Sequence, residues 1–215
     1  MPDKTKIHTV YKLKDGGRVP SVTTILGILN KPALLDWAWN LGTQGIDYKA
    51  VRDQAGGIGT LTHYLIMREL TGEKPDTSEY SAQDIDKAET CLLKYYEWSK
   101  VHEVKPLLVE TPLVSENYHF GGTIDFYGMV DERFTLVDHT TARGIYAEKI
   151  YQVCAYKELL NENNKRVDDI IILRYGRDPT EGFEERDITS SVIGWQIFLN
   201  CLSIYNLQNE IRRGE

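Results

Sequence analysis

Apolar positions along the chain change period several times, and each change predicts an element. After Pro20-Ser21, the residues Val22, Ile25, Leu26 and Leu29 recur at helical spacing, with Ser21 as N-cap. Pro32 suits the first turn of a second helix carrying Leu34, Leu35 and Trp37. Gly56-Gly57-Ile58-Gly59 interrupts the pattern and predicts a break before a helix that runs to about Thr71 and is closed by Gly72. Ser81 and Asp84 form a capping box for a helix to about Lys100, with Ile85, Ala88, Leu92 and Tyr95 on one face. The pattern then turns strand-like over Val104–Ser115 and on either side of the Val130–Arg133 turn, before a helix through Gln152 and Tyr156. Ile170–Tyr175 suits a buried strand, and Phe183–Ile188 an edge strand protected by its charges. Ser190 or Ser191 caps a last helix that ends with Arg212 and Arg213 at the negative end of its dipole. At the start, Ile7–Lys14 and Arg18–Val19 flank Asp15-Gly16-Gly17, a turn signal for a small hairpin. These elements predict an α/β fold, a small mixed β-sheet flanked by helices with an N-terminal helical elaboration. They divide into residues 1–56 (hairpin and first helices) and 57–215 (core) within a single compact domain.

Candidate chemistry collects around the two central strands. Strand residues two apart share a face, so Thr123, Asp125 and Tyr127 are expected to point one way. Asp138 and Thr140 likewise share a face, with His139 turned away. Pairing across the 130–133 turn brings two carboxylates together, and such a pair repels unless a cation or proton intervenes. Oxygen ligands completed by water suit Mg²⁺ or Mn²⁺. His63, in the helix after the glycines, reads alone as a packing histidine; with two Asp residues downstream it becomes a candidate ligand. Gln152 and Tyr156 stand one turn apart on one helical face.

The order Gly122-Thr123-Ile124-Asp125, then Leu136-Val137-Asp138-x-x-Thr, then Gln152-x-x-x-Tyr156, resembles the nuclease core of the PD-(D/E)XK superfamily. Gly59-Thr60-Leu61-Thr62-His63 upstream is similar to a helix of its RecB-type branch, which includes phage exonucleases and the mitochondrial genome maintenance exonuclease. The resemblance covers roughly residues 57–160 and implies a restriction-endonuclease-like core with metal held by His63, Asp125, Asp138 and the backbone carbonyl of His139. It also implies bracing of the site by Gln152 and Tyr156, an accessory acid at Glu110, and N-terminal helices that wall the cleft. One departure stands out: the family has Lys two residues after the second acid, and this chain has Thr140. Three explanations stay open, namely an inactivating substitution, a substitute cation such as Lys149 from the following helix, or a retired nuclease that only binds. Because a side chain at 140 faces the same side as Asp138, Thr140→Lys is expected to raise metal-dependent turnover at least about tenfold.

Composition limits the reading further. A net charge of −7 argues against a protein coated for non-specific duplex binding, although eight Lys/Arg against five Asp/Glu through Thr60 leave the N-terminal part mildly basic. No apolar run approaches a membrane span and no signal-peptide pattern opens the chain. Cys91, Cys154 and Cys201 are scattered, so a cytoplasmic, reducing location is expected. Some RecB-type nucleases hold an iron–sulfur cluster on four cysteines; with three, none is expected here. The resulting expectation is an Mg²⁺- or Mn²⁺-dependent DNA exonuclease of phage-type recombination, repair or replication, acting on single strands or duplex ends, with a phage recombination protein as a further partner. A catalytically silent nucleic-acid-binding or scaffold protein on the same fold is the alternative.

Overall fold

The structure, a computed structural model, describes residues 9–214; Ile7 and His8 of the expected hairpin lie outside them. Helices α1 (Val22–Leu26), α2 (Pro32–Thr43), α3 (Tyr48–Thr71) and α4 (Ala82–Ser99) precede the first three strands. Strands β1 (Val104–Ser115), β2 (Phe120–Val130) and β3 (Arg133–Thr140) are followed by α5 (Ala147–Glu162), β4 (Asp169–Tyr175), β5 (Phe183–Asp187) and α6 (Ser191–Gly214). The strands form one sheet in the order β1-β2-β3-β4-β5. All neighbours are antiparallel except β3 and β4, which run parallel because α5 carries the chain back across the sheet. Among the described residues no helix is long and apolar enough to cross a membrane.

Each face of the sheet has its own core. On one, Ile124, Tyr127, Leu136 and Ile172 pack with α1, α5 and α6 through Ile25, Leu159 and Phe198. On the other, Phe126, Val137 and Leu173 pack with α3 and α4 through Ile66, Cys91, Tyr95 and Trp98. The N-caps at Ser21 and Ser81 form as the sequence predicts, each side chain accepting a backbone N–H at position N3. By contrast α2 starts with proline and buries none of its residues, leaving Leu34, Leu35 and Trp39 exposed.

Two expectations need correction. Helix α3 does not start after Gly59; it begins at Tyr48 with Asp47 as N-cap and runs through Gly56, Gly57 and Gly59. Each interior glycine costs about 1 kcal/mol. Burial of Ile58, Leu61, Leu65 and Ile66 returns about 1.5–3 kcal/mol apiece, so packing outweighs propensity. The expected division at 56/57 therefore falls inside one helix. The second correction concerns β2, whose alternation slips. Gly122 and Ile124 look toward α5, Phe126 looks toward α4, and Tyr127 is back on the α5 face, so Tyr127 does not share a face with Thr123 and Asp125.

Candidate active site

The slip in β2 creates the site. Pairing of β2 with β3 ends at Phe126↔Val137, one residue short of Asp125 and Asp138, so the strands part where the two acids stand. Across β2, Glu110 lies between the regular pairs Val109↔Phe126 and Thr111↔Ile124 and takes a left-handed backbone, φ 44°. For a residue other than glycine this conformation costs about 1–2 kcal/mol. The kink coincides with a carboxylate turned toward α3: His63 Nδ1 lies 3.6 Å from Glu110 Oε1 and 3.5 Å from Asp125 Oδ2. Helix α3 reaches this close because Gly59 has no side chain; a Cβ there would sit 3.2 Å from Thr141 Oγ1. The ligand atoms of His63, Glu110 and Asp125 all fall within 4.8 Å of one another. Asp125 is further fixed by the His139 N–H, which donates to its Oδ2 at 2.9 Å.

On the other side of the gap Asp138 points toward α5 and is 1% exposed. Its Oδ2 lies 2.7 Å from Lys149 Nζ in a close, buried ion pair. Gln152 Nε2 approaches Asp138 Oδ1 at 3.5 Å and donates to the Tyr156 hydroxyl at 2.9 Å. Tyr156 packs against Gly122, where even a methyl group would meet its ring at 2.4 Å. A cavity of about 260 Å³ opens beside this group, with Thr23, Lys31, Thr140, Tyr146, Lys149 and Gln152 in its wall.

The charges are mutually compensating. Burial disfavours the His63 imidazolium, but Asp125 and then Glu110 outweigh it and push its pKa up to about 9. Burial raises the Asp138 carboxyl; Lys149 opposes this and Asp125 adds to it, leaving it pushed up to about 6. Asp125 is likewise raised by burial, against the pull of His63. Burial also works against the Lys149 ammonium, yet Asp138 and Asp125 hold its pKa above the ordinary lysine range. His63 and Lys149 thus offset the carboxyl groups that face them.

The structure sets His63 beside Asp125 on one side of the gap and Asp138 with Gln152 and Tyr156 on the other, and moves two accessory residues to the centre. Glu110, not Asp138, completes the tight set with His63 and Asp125, because Asp138 leans to the α5 side and is held by Lys149. Thr140 shares the Asp138 side and lines the cavity, but its hydroxyl accepts the Ala142 N–H at 3.3 Å and so serves the turn into α5. The His139 ring turns from the Asp138 side toward α3, 6.0 Å from the His63 ring, with Nδ1 2.9 Å from the Tyr175 hydroxyl, and burial holds its pKa well below the usual histidine range. No family model and no curated protein matches the chain.

One residue beside the site stands outside the candidates that the motifs mark. Tyr11 lies on Gly121, where a Cβ would come 2.3 Å from its ring, and its hydroxyl is 2.8 Å from Thr123 Oγ1. Burial raises its phenol pKa, the Thr123 hydrogen bond opposes this, and the Glu110 and Asp125 carboxylates add to the rise. The only sequence signal for it was the glycine pair at 121–122, which reserves room for two rings on opposite faces of β2.

Proposed function

We propose that this chain is a metal-dependent DNA nuclease on a restriction-endonuclease-like core, acting from strand ends. The observation that carries the reading is the His63–Glu110–Asp125 set facing the Asp138–Lys149 pair where β2 and β3 part. Oxygen and imidazole donors at that spacing fit a divalent cation. When bound, Mg²⁺ or Mn²⁺ supplies Lewis-acid polarisation of the scissile phosphate. Lys149 supplies the positive charge that Thr140 lacks, reaching Asp138 from α5 and not from the strand. Such a cation stabilises charge that grows in the transition state. Gln152 and Tyr156 hold the Asp138 carboxylate in place, and the wall formed by Thr23, Leu26 and Lys31 limits access from the α1 side.

The test is degradation of end-labelled single- and double-stranded DNA with Mg²⁺ or Mn²⁺ against a chelator. Metal-dependent loss of label, abolished by Asp125→Asn, is expected, with covalently closed circular single strands resistant. Cleavage indifferent to both chelator and Asp125→Asn would sink the reading, and rapid cutting of closed circles would make the protein an endonuclease.

A further inference from the structure

We infer that the N-terminal hairpin spanning residues 11–19 grips the sugar–phosphate backbone of the nucleic acid strand beside the reacting phosphate. This inference rests on the nuclease reading above. The hairpin closes through Leu13 N–H to Gly17 O at 2.8 Å and Val19 N–H to Tyr11 O at 3.1 Å, with Lys12 bridging Arg18 across it. Gly16 takes the left-handed turn position at φ 90°, and the Asp15 carboxylate is used within the turn, accepting the Gly17 N–H.

The hairpin is fastened to the site end of the sheet at three points. Tyr11 reaches Thr123, two residues before Asp125; the Gly121 N–H donates to Pro20 O at 2.9 Å; and the Lys14 N–H donates to Glu116 at 3.0 Å. Side chains alternate along its first strand, so Tyr11 and Leu13 turn inward while Lys12 and Lys14 are exposed. Arg18 on the return strand is exposed as well. None of these three cations makes an ion pair among the described residues, although the chain carries a net charge of −7. Solvated cations are ordinary on a surface. Three on one short hairpin with no ion pair among the described residues, tied by Tyr11 to the strand that carries Asp125, form a local positive edge against an acidic body. A polyanionic strand lying over the site meets that edge first.

The experiment is the salt dependence of binding of a short single-stranded oligonucleotide without divalent metal. The wild type is compared with Lys12→Ala/Lys14→Ala/Arg18→Ala and with Lys100→Ala/Lys105→Ala/Lys165→Ala, which removes equal charge at the far end of the sheet. Each phosphate contact contributes about 0.7 to the slope of log K against log salt. The hairpin variant should therefore lose about two units of slope, and the control variant well under one. The conservative Lys12→Arg/Lys14→Arg variant should keep the wild-type slope, which separates lost charge from lost folding. Equal slopes for the wild type and the hairpin variant overturn the inference while leaving the nuclease reading intact. Failure of the wild-type protein to bind DNA, together with no metal-dependent cleavage, overturns both.

Discussion

At the scale of single residues, Lys149 decides how the missing strand lysine is to be understood. Its ammonium is 2.7 Å from Asp138, so on the nuclease reading proposed above it stands where the charge that Thr140 lacks would act. The expected gain from Thr140→Lys therefore belongs in a different background. Lys149→Ala should lower kcat by about 10²–10³, the usual cost of one electrostatic group. Adding Thr140→Lys to that variant should restore at least about tenfold, whereas Thr140→Lys alone should change turnover by less than about threefold. Steady-state kinetics on one labelled oligonucleotide checks all three. An unchanged kcat in Lys149→Ala would show that the ammonium only steadies the fold. Position 140 was readable from the motif spacing; the distance from α5 to β3 was not, because no local pattern encodes how far a helix side chain reaches across a packed layer.

At the scale of elements, the glycines of β2 set how closely the layers meet. Gly122 sits under Tyr156 and Leu159, and a Cβ would approach them at 2.4 Å and 3.1 Å. Gly122→Ala should push α5 off the sheet and cost about 1–3 kcal/mol, the range for overpacking a filled core, measurable as a lower urea midpoint. Metal-dependent activity should fall with it, since Lys149, Gln152 and Tyr156 all ride on α5. Elements built from local signals were legible in sequence: the Ser21 and Ser81 caps, the turn before Arg133, the buried run of β4. Glycine misled where tertiary contact overrides propensity, as in α3, where Gly56 and Gly57 directly precede the buried Ile58 and Gly59 stands against Thr141. The alternation rule failed at Asp125 and Phe126 because it assumes a regular ladder, and the Glu110 kink removes the ladder there.

For the whole molecule, the balance of charge in the site ties stability to pH and to metal. His63 has its pKa raised to about 9 from an ordinary 6.5, so its imidazolium stabilises the fold fully below pH 6.5. That contribution is lost as pH rises through about 9. A divalent cation competes with this proton and with the one on Asp138, whose pKa is pushed up to about 6, so both effects run in one direction. The rise in Tm produced by a fixed concentration of Mn²⁺ should be small at pH 5.5 and grow toward pH 9, and it should vanish in Asp125→Asn. A shift that shrinks as pH rises would mean that the ion binds elsewhere.

The slip in β2 also governs where this chain can change length. From Phe120 to Ile124 every β2 residue has a partner in β1, and two of them are glycines that must lie under particular rings. Inserting or deleting one residue there would place a side chain where Gly121 or Gly122 now stands and rotate Asp125 away from His63. Length variation among descendants of this sequence belongs instead in the 116–119 and 131–132 turns and in the 176–182 loop, where a residue more or less leaves the parting of β2 and β3 untouched. A gap drawn inside β2 in any alignment of such descendants would mark an error of alignment or a chain that has given up the site.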